Sequence, residues 1–266
     1  MSSEIFPSKI SILLLALGVA VAFAPNLAAD DWQHHWNVSA SPRLSVSTAG
    51  MDVIIEPGAA GAIDAVVESR GASLGSPGVT VDHHEAGGVI SIEVQSRPFV
   101  GVRFSRLHLR VPQDVQAELR SGSGSLTVHG LHGRLRLETS SGEVKGDALD
   151  GNVEVSTRSG AVQLRGRFDD LNVRTRSGMI DAEVGPGSRL RSDWQVTSDI
   201  GSVSLRIPSS LAAGIEAHTS RGRIRSDLPL DVKGPQEDDY LRGNLNGGSF
   251  MLFVRSHRGS IHLAAI

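Results

Sequence analysis

One interval governs what this chain can fold into. Glycine recurs at Gly124, Gly142, Gly160 and Gly178, each 18 residues after the last, and the phrase continues with looser spacing at Gly201, Gly222 and Gly259. Around each glycine the same template is legible. Apolar residues stand seven and five positions before it, as in Leu135/Leu137 and Val153/Val155. A Ser or Thr stands three before it in every copy: Ser121, Thr139, Thr157, Thr175, Ser198, Thr219 and Ser256. An apolar residue follows two after it, from Leu126 and Val144 through to Ile261. Alternation of period two marks half-buried strands. Alternation alone would not keep a glycine in phase across seven copies. A glycine held at one point marks backbone that needs positive φ, or that is too crowded for a Cβ.

A second turn signal separates the copies: GLHG at 130–133, ALDG at 148–151 and RFDD at 167–170. Each unit therefore reads strand, turn, strand, turn. A single unit cannot bury its own apolar edge, whereas stacked units bury a continuous aliphatic core and pair every strand with its counterpart in the next copy. The template predicts an all-β, single-domain repeat β-solenoid, β-helix-like, with coils of 18 residues and Ser/Thr above Ser/Thr in ladders. An antiparallel meander closing into a sandwich fits the alternation but gives no reason for identical columns.

The flanking segments complete the predicted organisation. Residues 1–29 hold Lys9, the apolar run Ile10–Phe23 and then small residues, the pattern of a secretory signal peptide with cleavage after Ala29. An uncleaved anchor is the other reading of that run, and either places the remainder outside the cytoplasm. No second apolar stretch predicts a membrane span after signal cleavage. Residues 30–43 read as a flexible mature N-terminus, 44–115 as a β region of irregular coils, and 116–266 as the β-repeat region with a polar, Gly-rich loop at 234–248. The chain closes on IHLAAI with no polar cap. That end is expected to be covered by the 234–248 loop, by the N-terminal region or by another subunit, so oligomerisation through the C-terminal coil is an expectation.

The phrase LRVPQDVQAELRSGSGSLTVHG, the recurring T-x-S-G and the closing GNLNGGSFMLFVRSHRGSIHL resemble the bacterial "putative adhesin" β-strand-repeat family, a domain-of-unknown-function group. The resemblance runs from Leu44 to the C-terminus. It implies an exported, all-β repeat protein, and it carries over no catalytic residue. The chain departs from the tidier pattern at Asp199-Ile200-Gly201 and Ser220-Arg221-Gly222, where the Ser before Gly is lost.

Composition narrows the chemistry. The absence of cysteine excludes disulfides, thiolate metal sites and cysteine nucleophiles. A net charge of −3 with interspersed signs argues against a nucleic-acid partner. GASLG at 71–75 matches a nucleophile elbow around Ser73, but Pro77-Gly78 and a strand follow where the elbow needs a helix. His34-His35, His83-His84 and His129/His132 form local clusters, yet adjacent strand residues face opposite sides, and the expected metal and cofactor content is none. Asp147, Asp150, Asp169 and Asp170 sit at turns without a calcium-binding Gly-Gly-x-Gly-x-Asp phrase.

What remains is the outward polar face. Arg158, Arg165, Arg167, Arg174 and Arg176 fall in two neighbouring copies and are predicted to form a basic ledge, with Glu154, Asp169 and Asp170 near enough to neutralise part of it. The sequence reading is an exported, non-enzymatic scaffold of the periplasm or cell surface that docks an envelope protein or polymer. An envelope-polysaccharide enzyme on a β-helix and a periplasmic sensory or regulatory accessory protein are the alternatives. Paired carboxylates on one face would favour the enzyme.

Overall fold

The computed structural model describes residues 32–70, 79–96, 104–232 and 237–266. The signal-peptide segment and Ser73 lie outside them. The described chain opens with β1 (Trp32–Asn37), β2 (Arg43–Thr48), β3 (Asp52–Pro57) and β4 (Ala62–Arg70). Next come β5 (Val79–Ala86), β6 (Val89–Ser96), β7 (Phe104–Val111), β8 (Asp114–Ser121) and β9 (Leu126–His129). The most regular copies supply β10 (His132–Ser141), β11 (Val144–Ser159), β12 (Val162–Ser177) and β13 (Ile180–Val184). They lead to β14 (Trp194–Ile200), β15 (Val203–Ile207), β16 (Ala213–Thr219) and β17 (Ile224–Ser226). The last strands are β18 (Asp231–Val232), β19 (Tyr240–Leu245), β20 (Met251–Arg258) and β21 (Ile261–Ala265).

Successive copies pair parallel and in register, Leu135 with Val153 and Val153 with Leu171. A meander of hairpins would pair neighbours antiparallel, so the structure is the β-solenoid. Two strand columns result. The first runs β5-β6-β2-β8-β10-β11-β12-β14-β20-β16-β19-β18. The second runs β1-β4-β7-β3-β9-β11-β12-β13-β15-β21-β17. β11 and β12 pass through the corner and serve both.

Stacking does not follow chain order at either end. The β2–β3 coil lies between the β6–β7 and β8–β9 coils. The last coil, β20–β21, is inserted between β14–β15 and β16–β17. Both sides of the C-terminal coil are therefore occupied, which corrects the expectation that it ends the stack. The outer edge belongs to β16, and antiparallel β19 covers it. The 234–248 segment is thus not only a loop: its residues 240–245 are a capping strand. Within the segment 30–43, expected to be flexible, Trp32–Asn37 are the strand β1, which pairs antiparallel with β4. Antiparallel β4 and β5 continue the stack at the same end. Reversing strand direction ends the parallel stack, one means of limiting open-ended growth of a sheet.

The interior confirms the apolar columns. Leu135, Leu137, Val153, Val155, Leu171 and Val173 are buried, as are Leu126, Val144, Val162 and Ile180. The corner between the two columns is plugged by Leu131, Leu149 and Phe168. Phe168 meets Trp194 edge-on at 6.5 Å.

The Ser/Thr and Gly columns act as one device. Five of the buried hydroxyls of the column donate to the carbonyl of the glycine in the neighbouring coil: Thr139 to Gly124 at 3.1 Å, Thr175 to Gly160 at 3.4 Å, Ser198 to Gly178 at 3.0 Å, Ser256 to Gly201 at 3.0 Å and Thr219 to Gly259 at 2.8 Å. The ladders therefore run hydroxyl to carbonyl. One hydroxyl–hydroxyl bond, Thr48 to Ser121 at 3.2 Å, marks a further copy that lacks glycine and places Met51 in its column. Crowding, not positive φ, explains Gly142, Gly160 and Gly178, since a methyl on each would overlap the carbonyl oxygen of the preceding glycine in the column.

Thr157 breaks the ladder, because its buried hydroxyl has no hydrogen-bond partner. A buried acceptor that loses its donor costs about 1–3 kcal/mol, whereas removing an unpaired hydroxyl costs little. Thr175→Val is therefore expected to lower stability by about 1–2 kcal/mol. Thr157→Val is expected to be neutral or stabilising. Urea titrations of the two variants compare them directly, and equal losses would refute the ladder account.

Candidate functional site

Outward positions of the first column form rows across neighbouring strands. Where Arg120, Arg136 and their neighbours on β8, β10 and β11 meet, arginines and glutamates pair across strands. Arg120 lies 2.6 Å from Glu118 and 3.4 Å from Glu138, and Arg136 lies 3.0 Å from Glu154. Opposite charges on adjacent strands are the ordinary arrangement of a solvated sheet face.

The pattern changes at Arg158, near the end of β11, and along β12. Register places Arg176 beside Arg158, and Arg174 beside Ser156. These three arginines share an open groove of about 270 Å³ with Glu138 and Asp199. All three are exposed, and no ion pair joins them to an acid among the described residues. Like charges directly opposite on a sheet are destabilising. Arg158 and Arg176 therefore hold a cost that the neighbouring strands avoid.

The predicted five-residue ledge is thus split. Arg165 stands on the outward side of the second column, 3.9 Å from Glu183. Arg167 sits at the corner, where its guanidinium clasps Asp150 and reaches Asp169 at 2.7 Å. The cause is the bend in β12, which turns the chain from one column to the other between Gly166 and Leu171. Arg167 holds the Asp150 carboxyl below the usual carboxylate range, with burial opposing it. Asp150, Arg167 and Asp169 also line an open groove of about 480 Å³ with Asp114 and His132.

Sequence reasoning missed the groups that continue the arginine row. From Arg174 the register crosses Thr197 and Arg255 to His218 and Tyr240. Beside that row Phe253 lies on the same outward side of β20, with the Arg255 guanidinium 5.4 Å from its ring centre. His218 and Tyr240 meet edge-on at 6.5 Å. Arg255 reaches Glu216 at 3.7 Å. The template positions of Arg255 and His218 could be read from the repeat, but not that β20 lies between β14 and β16.

The other candidates resolve locally. His129 pairs with Asp147 at 3.3 Å and His132 with Asp114 at 3.5 Å, so these two do not converge. The His83 and His34 rings lie 4.2 Å apart and tilted, within a cluster that includes Trp32 and Trp36. Burial, then the neighbouring His83 and His35, hold His34 below the usual histidine range. Among the described residues no group of three or more His, Asp or Glu is placed to hold a metal ion. Asp181 and Glu183, the acids paired along β13, are both tied to Arg206, at 3.2 and 3.1 Å.

The fold and this face define a class, the β-solenoids whose repeat is built on a hydroxyl–glycine column and whose polar rows lie outward. Residues 116–263 match the family model described as Toastrack DUF4097, and the chain belongs to that family. The match bears out the resemblance read from the sequence. No curated protein matches the chain significantly. Among solved structures, a Bacteroides fragilis protein named a "putative adhesin" shares 11% identity over 89% of this chain and 97% of its own, with a TM-score of 0.48. A Clostridium sporogenes protein named a "putative cell adhesion protein" shares 10% identity over 89% of this chain and 100% of its own, with a TM-score of 0.42. A "putative adhesin" of Parabacteroides merdae shares 11% identity over 90% of this chain and 97% of its own, with a TM-score of 0.43. Likeness at this level transfers no function. No helix among the described residues is long and apolar enough to cross a membrane.

Proposed function

We propose that this chain is an exported, non-enzymatic interaction scaffold of the bacterial cell envelope, adhesin-like, that docks an anionic partner on the outward face of its first strand column. The observation that carries the reading is the cluster Arg158, Arg174 and Arg176, which no ion pair joins to an acid among the described residues although Glu138 and Asp199 line the same groove. On the strands to one side of it Arg120 and Arg136 are paired with glutamates, so the cluster of three departs from its neighbours where a partner would supply the missing charge. Guanidinium forks suit carboxylate and phosphate groups. The leader-like segment 1–29 supports export, and sequencing of the mature N-terminus is expected to begin at Asp30.

The test is binding of the purified mature chain to envelope fractions of its source cells. Wild type is expected to bind and to release as salt rises, because exposed charges are screened. Arg158→Glu/Arg174→Glu/Arg176→Glu is expected to lose binding while melting within a few degrees of wild type, since all three side chains are outward. Undiminished binding by a folded triple variant would overturn the assignment of this face.

A further inference from the structure

We infer that the anionic partner is an acidic glycan lying along the solenoid axis, across the strands, from Arg158 to Tyr240. This inference rests on the docking face proposed above and assigns its ligand class. Three observations carry it.

First, the cations form a line rather than a point. Arg158 and Arg176 are on adjacent strands, and Arg174 and Arg255 are two strands apart through Thr197. At about 4.8 Å per strand, the spacing of Arg174 and Arg255 along the axis is about 9.6 Å, and Tyr240 lies about 19 Å from Arg174. A linear polymer bearing a carboxylate or phosphate at regular intervals matches this geometry better than a compact anion does.

Second, aromatic faces are interleaved with the charges. Phe253 and Tyr240 are half-buried on the outward side, next to Arg255 and His218 respectively. Sugar rings present flat C–H faces that bury apolar area against such rings, and guanidinium groups alone do not provide that contact.

Third, the strands beneath have spent their backbone groups. β14, β20 and β16 are each paired on both sides. A peptide added in strand form needs a free edge, and this face offers side chains alone. Recognition through charges and rings, without main-chain ladders, favours a glycan over an extended acidic peptide.

The experiment compares polygalacturonate with polyglutamate of matched charge, by calorimetry on the mature chain. Polygalacturonate is expected to bind the more tightly. Phe253→Leu and Tyr240→Ser, which remove flat rings from outward positions, are each expected to weaken polygalacturonate about ten-fold and leave polyglutamate unchanged. Arg158→Ser/Arg176→Ser is expected to weaken both polymers. Thermal melts establish that each variant is folded, and the two ring variants are independent, so one that fails to fold leaves the other decisive. Equal binding of both polymers, with no effect of the ring variants, would overturn the glycan inference and leave the basic docking face standing. Loss of neither polymer on removing the arginines would overturn both. Tighter binding of oligo(dT) than of polygalacturonate would also overturn the inference, since stacked bases use the same rings and cations.

Discussion

Gly160→Ala is expected to be among the most damaging single substitutions in the repeat. Its added methyl would overlap the carbonyl oxygen of Gly142 and stand 2.8 Å from that carbonyl's carbon. The obstacle is backbone, so no side-chain rotation relieves it. The two coils would have to part locally, against the bond from Val144 N–H to Ala161 O at 2.9 Å that joins them. The same carbonyl column continues above and below, where Gly178 is pressed against Gly160. Overpacking in a rigid interior costs typically 1–3 kcal/mol, and the upper end is expected here, about 3 kcal/mol. For a chain of this size that lowers the melting temperature by roughly 6–12 °C. Gly87→Ala is the control. Gly87 has φ of 59° with nothing within 4 Å of a built Cβ, so it carries the left-handed penalty alone, about 1–2 kcal/mol. Thermal denaturation followed by circular dichroism compares them. A Gly160→Ala loss no larger than that of Gly87→Ala would refute crowding as the reason for the column.

Trp194→Ala is expected to cost as much or more. Trp194 is fully buried and occupies the column position held by Leu171 on one neighbouring strand and Leu252 on the other. The interval from Gly178 to Gly201 is 23 residues, five longer than in the regular copies, and the larger ring fills the space that the longer coil encloses. It packs edge-on against Phe168 and donates its indole N–H to the Asp169 carbonyl at 3.3 Å. Removing it leaves a cavity and takes one of two donors from the Asp169 carbonyl, which keeps the Arg191 N–H at 3.2 Å, at a cost of about 3–5 kcal/mol. Trp194→Leu, which restores the ordinary residue of the column, is expected to lose less, because part of the volume is kept. Urea unfolding of both variants checks the order. Equal midpoints for the two would show that the site collapses around either side chain.

The repeat itself was legible because its physics is local. Apolar alternation, a hydroxyl at a fixed offset and a glycine where coils touch are each imposed on one 18-residue copy by the next. The copy at Leu44–Pro57 was less legible because Met51 stands in the glycine column, leaving no glycine to anchor the phase. Capping strands β1 and β19 escaped notice for a different reason. Their residues, WQHHWN and YLRGNL, are short and polar, and they become strands only because an edge awaits pairing.

The candidate face shows the same division. Sequence alone determined that Arg158, Arg174 and Arg176 point outward on neighbouring strands, since strict 18-residue spacing fixes the register between those copies. It could not place Arg165 and Arg167 elsewhere, because the bend in β12 depends on how the corner packs around Leu149 and Phe168. Nor could it bring Arg255, Phe253 and Tyr240 to the row. That placement follows from the insertion of the last coil between two earlier ones and from the strand β19 that covers β16. Parallel pairing dictates what each copy must look like, but any two copies with matching columns can be neighbours. Which copies are neighbours is settled only by the closing of the whole stack.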